Sequence, residues 1–111
     1  MTYKIRIMKP AQNDMRETQQ YIAEELRNPA AAVRSIAQID HAIQSLKENP
    51  ARFPLVRDDY LASKGFRMIV VHKHLVFFII REKEQAVSFM RILYGRRDWL
   101  RLLRVETEEK S

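Results

Sequence analysis

The sequence predicts a small single-domain α+β fold in the order β-α-α-β-β-β-α: an antiparallel sheet packed against an N-terminal helical hairpin, with a short C-terminal helix. Three observations lead there. Two stretches of helical periodicity follow one another with only Asn28-Pro29 between them. Three apolar segments then crowd into residues 66–94 on short connections, the pattern of a β-meander. With 111 residues and no internal repeat, the chain suits one domain burying about two thirds of its unfolded surface, with no room for a second.

Each element has its own signal. Tyr3 to Met8 alternates, with Tyr3, Ile5 and Ile7 on one side and Lys4, Arg6 and Met8 on the other, a half-buried strand whose two cations would guard an edge. Pro10 suits a first helical turn, and Ala11, Met15, Thr18, Ile22 and Leu26 recur at helical spacing, with Tyr21 widening the stripe to an end near Arg27. Asn28 then serves as N-cap and Pro29 as the first helical residue of a second helix. Its stripe is Ala32, Ile36, Ile39, Ile43 and Leu46, and Pro50 stops it. So short a break makes an antiparallel helical hairpin.

Residues 49–65 carry Phe53, Leu55, Val56, Tyr60 and Leu61 without period among Pro50, Pro54 and Gly65, which reads as an ordered loop pinned by its apolar side chains. Phe66 to Val71 and Leu75 to Arg81 are strands around His72-Lys73-His74, and residues 81–85 turn the chain into Ala86 to Tyr94. That last strand is apolar on both faces, so it belongs mid-sheet. Strict alternation puts Val87, Phe89 and Leu93 on one face and Ala86, Met90, Ile92 and Tyr94 on the other, with Arg91 interrupting the first. Trp99, Leu102 and Leu103 among Arg101 and Arg104 suggest a short basic amphipathic helix. The domain is expected to span 1–104, with 105–111 as a flexible acidic tail.

Composition sets bounds on function. Hydrophobic residues make up 46% and charged residues 31%, a globular profile. The longest apolar run, Leu75 to Ile80, is far short of the roughly 18 residues a membrane span needs. The N-terminus lacks the continuous apolar segment of a signal peptide, so a cytoplasmic protein is expected. The absence of cysteine excludes disulfides, thiol catalysis and cysteine-ligated zinc. Net charge is +6, and setting aside Glu106, Glu108, Glu109 and Lys110 leaves 19 basic against 11 acidic side chains. Such an excess favours polyanions, whether nucleic acid, the ribosome or an acidic protein segment.

A charge on a buried strand face needs a partner or an opening to water. Arg91 and the Tyr94, Gly95, Arg96, Arg97 sequence just beyond it therefore mark where function is sought, with Arg67 as a candidate companion near one end of the sheet. Clustered arginines beside a tyrosine could cleave a phosphodiester, the guanidinium groups holding the phosphate and the phenol moving a proton. The spacing equally allows Arg91 to pair with a carboxylate such as Asp98 while Tyr94 packs. Trp99 either stacks on a base or anchors the last helix on the sheet. His72 and His74 lack a third ligand and His41 reads as solvated, so no metal site and no cofactor are expected. Asp58-Asp59 and Glu24-Glu25 read as solvated carboxylates.

Four blocks in order, K-P-A-Q-N-D-M-R-E-T-Q-Q-Y-I-A-E-E-L-R-N-P-A-A-A, L-K-E-N-P-A-R-F-P-L-V, G-F-R-M-I-V-V-H-K-H-L-V-F-F-I-I and M-R-I-L-Y-G-R-R-D-W, resemble the RelE/ParE superfamily of bacterial toxin–antitoxin toxins over residues 3–103. The resemblance implies a growth-inhibiting toxin of the plasmid stabilisation type, held in a hetero-oligomer by a cognate antitoxin. It also implies one of two targets. The RelE-like branch cleaves mRNA on the ribosome as a metal-independent endoribonuclease, and there Arg67, Arg91, Tyr94 and Arg97 would be catalytic. The ParE-like branch poisons DNA gyrase without a catalytic residue, and there Arg96, Trp99, Arg101 and Arg104 would contact the target. Tyr94 stands where several of the nucleases carry a histidine, and the lysine-rich middle strand of the RelE type is missing. The Y-G-R-R-D-W ending and the E-N-P-A-R-F-P loop look more like ParE. A third reading is a binding module that kept the fold and lost toxicity.

Overall fold

Alternation in the first strand and helical spacing after Pro10 give the elements they predict. The computed structural model describes residues 2–95 and 98–109, the last of them in backbone only, and begins with β1 (Lys4–Ile7), whose Ile5 and Ile7 pack on the core beside Tyr3. Lys4 and Arg6 lie along an edge of the sheet, and Arg6 pairs with Glu84 at 3.2 Å. Pro10 lies in the first turn of α1 (Lys9–Gln20). This helix does not run straight on to Arg27: at Tyr21–Glu25 it widens into a π turn. The wider turn shifts the helical phase of the residues after it. Leu26 is thereby 51% exposed and Tyr21 46% exposed, and the buried positions are Ala11, Asp14, Thr18 and Ile22.

Asn28 caps α2 (Pro29–Ser45), its side-chain oxygen accepting the Ala31 N–H at 3.1 Å. Ala32, Ile39, Ile43 and Leu46 are buried as their spacing requires, and the helix stops before Asn49, whose φ of +47° no helix continues. The following loop is held by buried Pro50, Val56 and Leu61. It also contains a helix that periodicity could not reveal, α3 (Asp59–Ser63), because five residues show no period. Asp58 is its N-cap, accepting the Leu61 N–H at 2.9 Å, rather than a solvated carboxylate.

The meander is β2 (Phe66–Val71), β3 (His74–Arg81) and β4 (Ala86–Tyr94), each antiparallel to the next, with His72 at φ +55° in the first hairpin. Sheet order is β1-β4-β3-β2, so β4 is central. β1 pairs with β4 in parallel, from Lys4↔Ala86 to Ile7↔Phe89, so the sheet is mixed rather than wholly antiparallel. The reason is the helical hairpin. It carries the chain across the sheet to start β2 in the direction of β1, and two reversals then bring β4 back to that direction.

Two cores result. Ala11, Ile39, Ile43 and Leu46 of the hairpin pack on Val76, Phe78, Val87, Phe89 and Ile92, while Phe66, Phe77, Ile79 and Leu93 on the other face pack with Val56, Leu61 and Leu103. Strict alternation in β4 therefore fails after Phe89. Phe78 pairs with Phe89 but Phe77 pairs with Arg91, leaving Met90 as the extra residue of a β-bulge. Past the bulge Ile92 joins the hairpin face and Leu93 the opposite one, the reverse of what alternation predicts. The bulge also takes Arg91 out of the hairpin core, which could not have solvated it.

The last helix, α4 (Trp99–Glu109), runs beyond the Arg104 end expected, through residues read as a tail. Trp99 packs on Phe77 with ring centroids 5.3 Å apart, and Leu103 is buried. Among the described residues no helix is long and apolar enough to cross a membrane.

Candidate functional site at the end of the central strand

The Arg91 guanidinium is held by two carboxylates at once. Its Nε and Nη2 donate to the two oxygens of Asp14 at 2.7 Å each, a bidentate fork, and its Nη1 donates to Glu106 of α4. Asp14 also accepts the Ile92 backbone N–H at 2.9 Å. The hydrogen bonding of Arg91 to Asp14 is the largest influence on its pKa and outweighs desolvation, so the guanidinium is held even more firmly protonated than usual. A partner for Arg91 was required, and it is Asp14 with Glu106, not Asp98. Both partners had a sequence signal. Asp14 falls within the buried stripe of α1, between Ala11 and Thr18, and Glu106 lies one turn beyond buried Leu103. An acid on an apolar stripe is a request for a buried cation.

Among the described residues, the other candidate arginines do not gather around it. Arg67 lies on the hairpin face of edge strand β2, where its Nη1 donates to the Phe53 carbonyl at 2.6 Å and so ties the preceding loop to the sheet. It does not join Arg91. Arg96 and Arg97 lie outside the described residues. Arg101 and Arg104 are exposed on α4, with side chains 82% and 45% accessible. Arg104 approaches Asp58 at 3.7 Å and lies over the Tyr60 ring. Trp99 is the anchor of α4 rather than an open stacking platform.

Tyr94 ends β4 on the hairpin face. It faces His74, its register partner, with ring centroids 5.0 Å apart, and Tyr21 of the π turn at 6.1 Å. His74 is 3% exposed, its Nε2 has no hydrogen-bond partner, and burial pushes its pKa below the ordinary histidine value. Burial therefore favours its neutral form. Gly95 follows with φ +59°, turning the chain out of the sheet. Two cavities flank the strand. One, of about 410 Å³, lies beside Tyr94 and is lined by Asp14, Glu17, Thr18, Tyr21 and β4 residues. The other, of about 390 Å³, lies between the start of α1 and α4 over Phe66, Ile79, Met90 and Leu103, with Lys9, Lys64 and Arg81 at its margin. Among the described residues, no group of three or more histidine, aspartate or glutamate side chains could hold a metal ion.

Residues 5–99 match the family model of the ParE toxin of the type II toxin–antitoxin system, parDE. Among solved structures, the chromosomal ParDE toxin–antitoxin system from P. aeruginosa is similar with a TM-score of 0.69 at 12% identity, over 86% of this chain and 98% of that one. The RelBE2 toxin–antitoxin complex from Mycobacterium tuberculosis is similar with a TM-score of 0.57 at 17% identity, over 85% of this chain and 99% of that one. At these identities the two structures speak for the fold alone. No curated protein matches the chain. The family match spans nearly the whole described domain, and the chain belongs to the ParE toxin family of type II toxin–antitoxin systems.

Proposed function

We propose that this protein is a growth-inhibiting cytosolic toxin, neutralised in a complex with a cognate antitoxin, that acts on DNA gyrase by contact and cuts no RNA. The observation that carries this reading is the state of Arg91. Phosphodiester cleavage by charge stabilisation needs cations aimed at the place where charge develops. Arg91 is instead charge-compensated by Asp14 and Glu106, and Arg67 donates to a loop carbonyl. The cleft beside Tyr94 presents Glu17, which repels a phosphate. Arg101 and Arg104 on α4 provide an exposed basic surface for a target, and Trp99 acts by fixing that helix in place. Antitoxin complexes of the two similar folds and the family's own description support an antitoxin partner.

One observation favours the RelE-like alternative: Tyr94 packs against the ring of His74, and both are residue types that serve in proton transfer. Among the described residues, no arginine lines the cleft beside that pair, where such a mechanism needs one. Induced expression in a bacterium is expected to arrest growth, and co-expression of the neighbouring gene's product to restore it. Purified protein is expected to inhibit gyrase supercoiling. Unimpaired growth with soluble protein present would favour a non-toxic binding module.

A further inference from the structure

β1 is shorter than the strand it pairs with, and this leaves part of the central strand uncovered. The parallel register ends at Ile7↔Phe89, and the Met8 N–H donates to the Phe89 carbonyl at 3.0 Å. Beyond Phe89, β4 continues to Tyr94 with α1 beside it instead of a strand. Asp14 takes the Ile92 N–H there, on the side away from β3. Backbone groups along a strand alternate in direction. The Gly95 N–H turns to the Lys73 carbonyl at 2.9 Å, on the β3 side, so Tyr94 directs its own N–H and C=O to the same side as the Ile92 N–H. That side is the cleft of about 410 Å³.

The charge of this cleft opposes that of the molecule. The chain carries +6, yet the cleft and the adjoining cavity that shares Glu17 and Tyr21 with it are lined by Asp14, Glu17, Glu24 and Glu25, with no described lysine or arginine. Arg91 already matches Asp14, whereas Glu17 is exposed and makes no ion pair among the described residues. Tyr21 and Tyr94, tilted by 53° to one another, add ring faces that attract a cation.

We propose that this cleft is a strand-addition site for an extended segment of a partner protein bearing an arginine or lysine. The segment's main chain pairs with the open edge at Tyr94, and its cation sits against Glu17 beside the tyrosine rings. Strand addition draws affinity from main-chain bonds and specificity from side-chain pockets; here the N–H and C=O of Tyr94 serve the first and Glu17 with the tyrosine rings the second. The charge complementarity excludes the acidic segment that the basic body would attract, so this contact is separate from one made through that body. The inference does not depend on which target the toxin acts on.

The test is an NMR titration of the whole ¹⁵N-labelled protein with a capped pentapeptide of alternating valine and arginine. Two further probes are its glutamate counterpart and an arginine peptide N-methylated along the backbone. Expected are shifts centred on the amides of Glu17, Tyr21, Tyr94 and Gly95, with affinity falling by about tenfold in Glu17→Lys and for the N-methylated peptide. Glu17 is exposed, so its replacement leaves the fold intact. Absence of binding, shifts confined to other amides, equal binding of the glutamate peptide, or full retention by the N-methylated peptide would overturn the proposal.

Discussion

Asp14→Ala is expected to destabilise the protein by about 3–5 kcal/mol, the cost of stranding a desolvated charge. Asp14 is 8% exposed and satisfies three donors at once: two on Arg91 and the backbone N–H of Ile92. Removing it leaves the guanidinium with Glu106 alone and orphans a strand N–H at the edge of the central strand. The pair itself is a different matter, because replacing both partners by apolar groups of similar volume removes the unpaired charge along with the bond. Asp14→Leu combined with Arg91→Met is therefore expected to recover much of the loss, giving a coupling energy well above the few tenths seen for independent sites. Urea denaturation followed by circular dichroism measures each corner of this cycle. A loss under about 1 kcal/mol in Asp14→Ala would show that water reaches the site and that Arg91 is not a keystone.

Phe77→Ala is expected to cost a similar amount, about 3–5 kcal/mol, and to disturb a different part of the molecule from Phe78→Ala. Both rings are fully buried, but they sit on opposite faces of β3. Phe78 packs under the helical hairpin with Phe89, while Phe77 carries Trp99 and through it α4. Trp99 is the single tryptophan, so its fluorescence reports on the α4 dock directly. A red-shifted native emission is predicted for Phe77→Ala and an unshifted one for Phe78→Ala, at comparable losses of stability. Equal emission from both variants would mean that Trp99 takes its position from something other than Phe77.

Local signals make much of this fold legible in the sequence. The Asn28 cap, the α2 stripe and the alternation of β1 all form as read, because each depends on neighbours within a few residues. What could not be read depends on contacts distant in sequence or on one-residue changes of phase. The bulge at Met90 inverts the faces of Ile92 and Leu93, and its cause is the need to lead Arg91 to carboxylates far away in sequence. The π turn exposes Leu26 and brings Tyr21 to Tyr94 through a single widened turn that no hydrophobic period encodes. Parallel pairing of β1 is set by the path of the whole hairpin rather than by the residues of the strand. At the candidate site, the demand of Arg91 for a partner is visible in the sequence, whereas Asp14 shows itself only as an acid within the otherwise apolar stripe of α1, which apolar periodicity does not register. Arg67 drew attention as a cation, yet its surroundings are carbonyl groups of a loop, which composition cannot show.

The absence of phosphate chemistry at the end of β4 is tested most directly by mapping mRNA 5′ ends by primer extension after induction of the wild-type protein and of Tyr94→Phe. With Arg91 bound to Asp14 and Glu106, mRNA is predicted to stay intact in both cases, with equal growth arrest and equal inhibition of gyrase supercoiling by the two purified proteins. Codon-phased cuts in mRNA that disappear in Tyr94→Phe would contradict it.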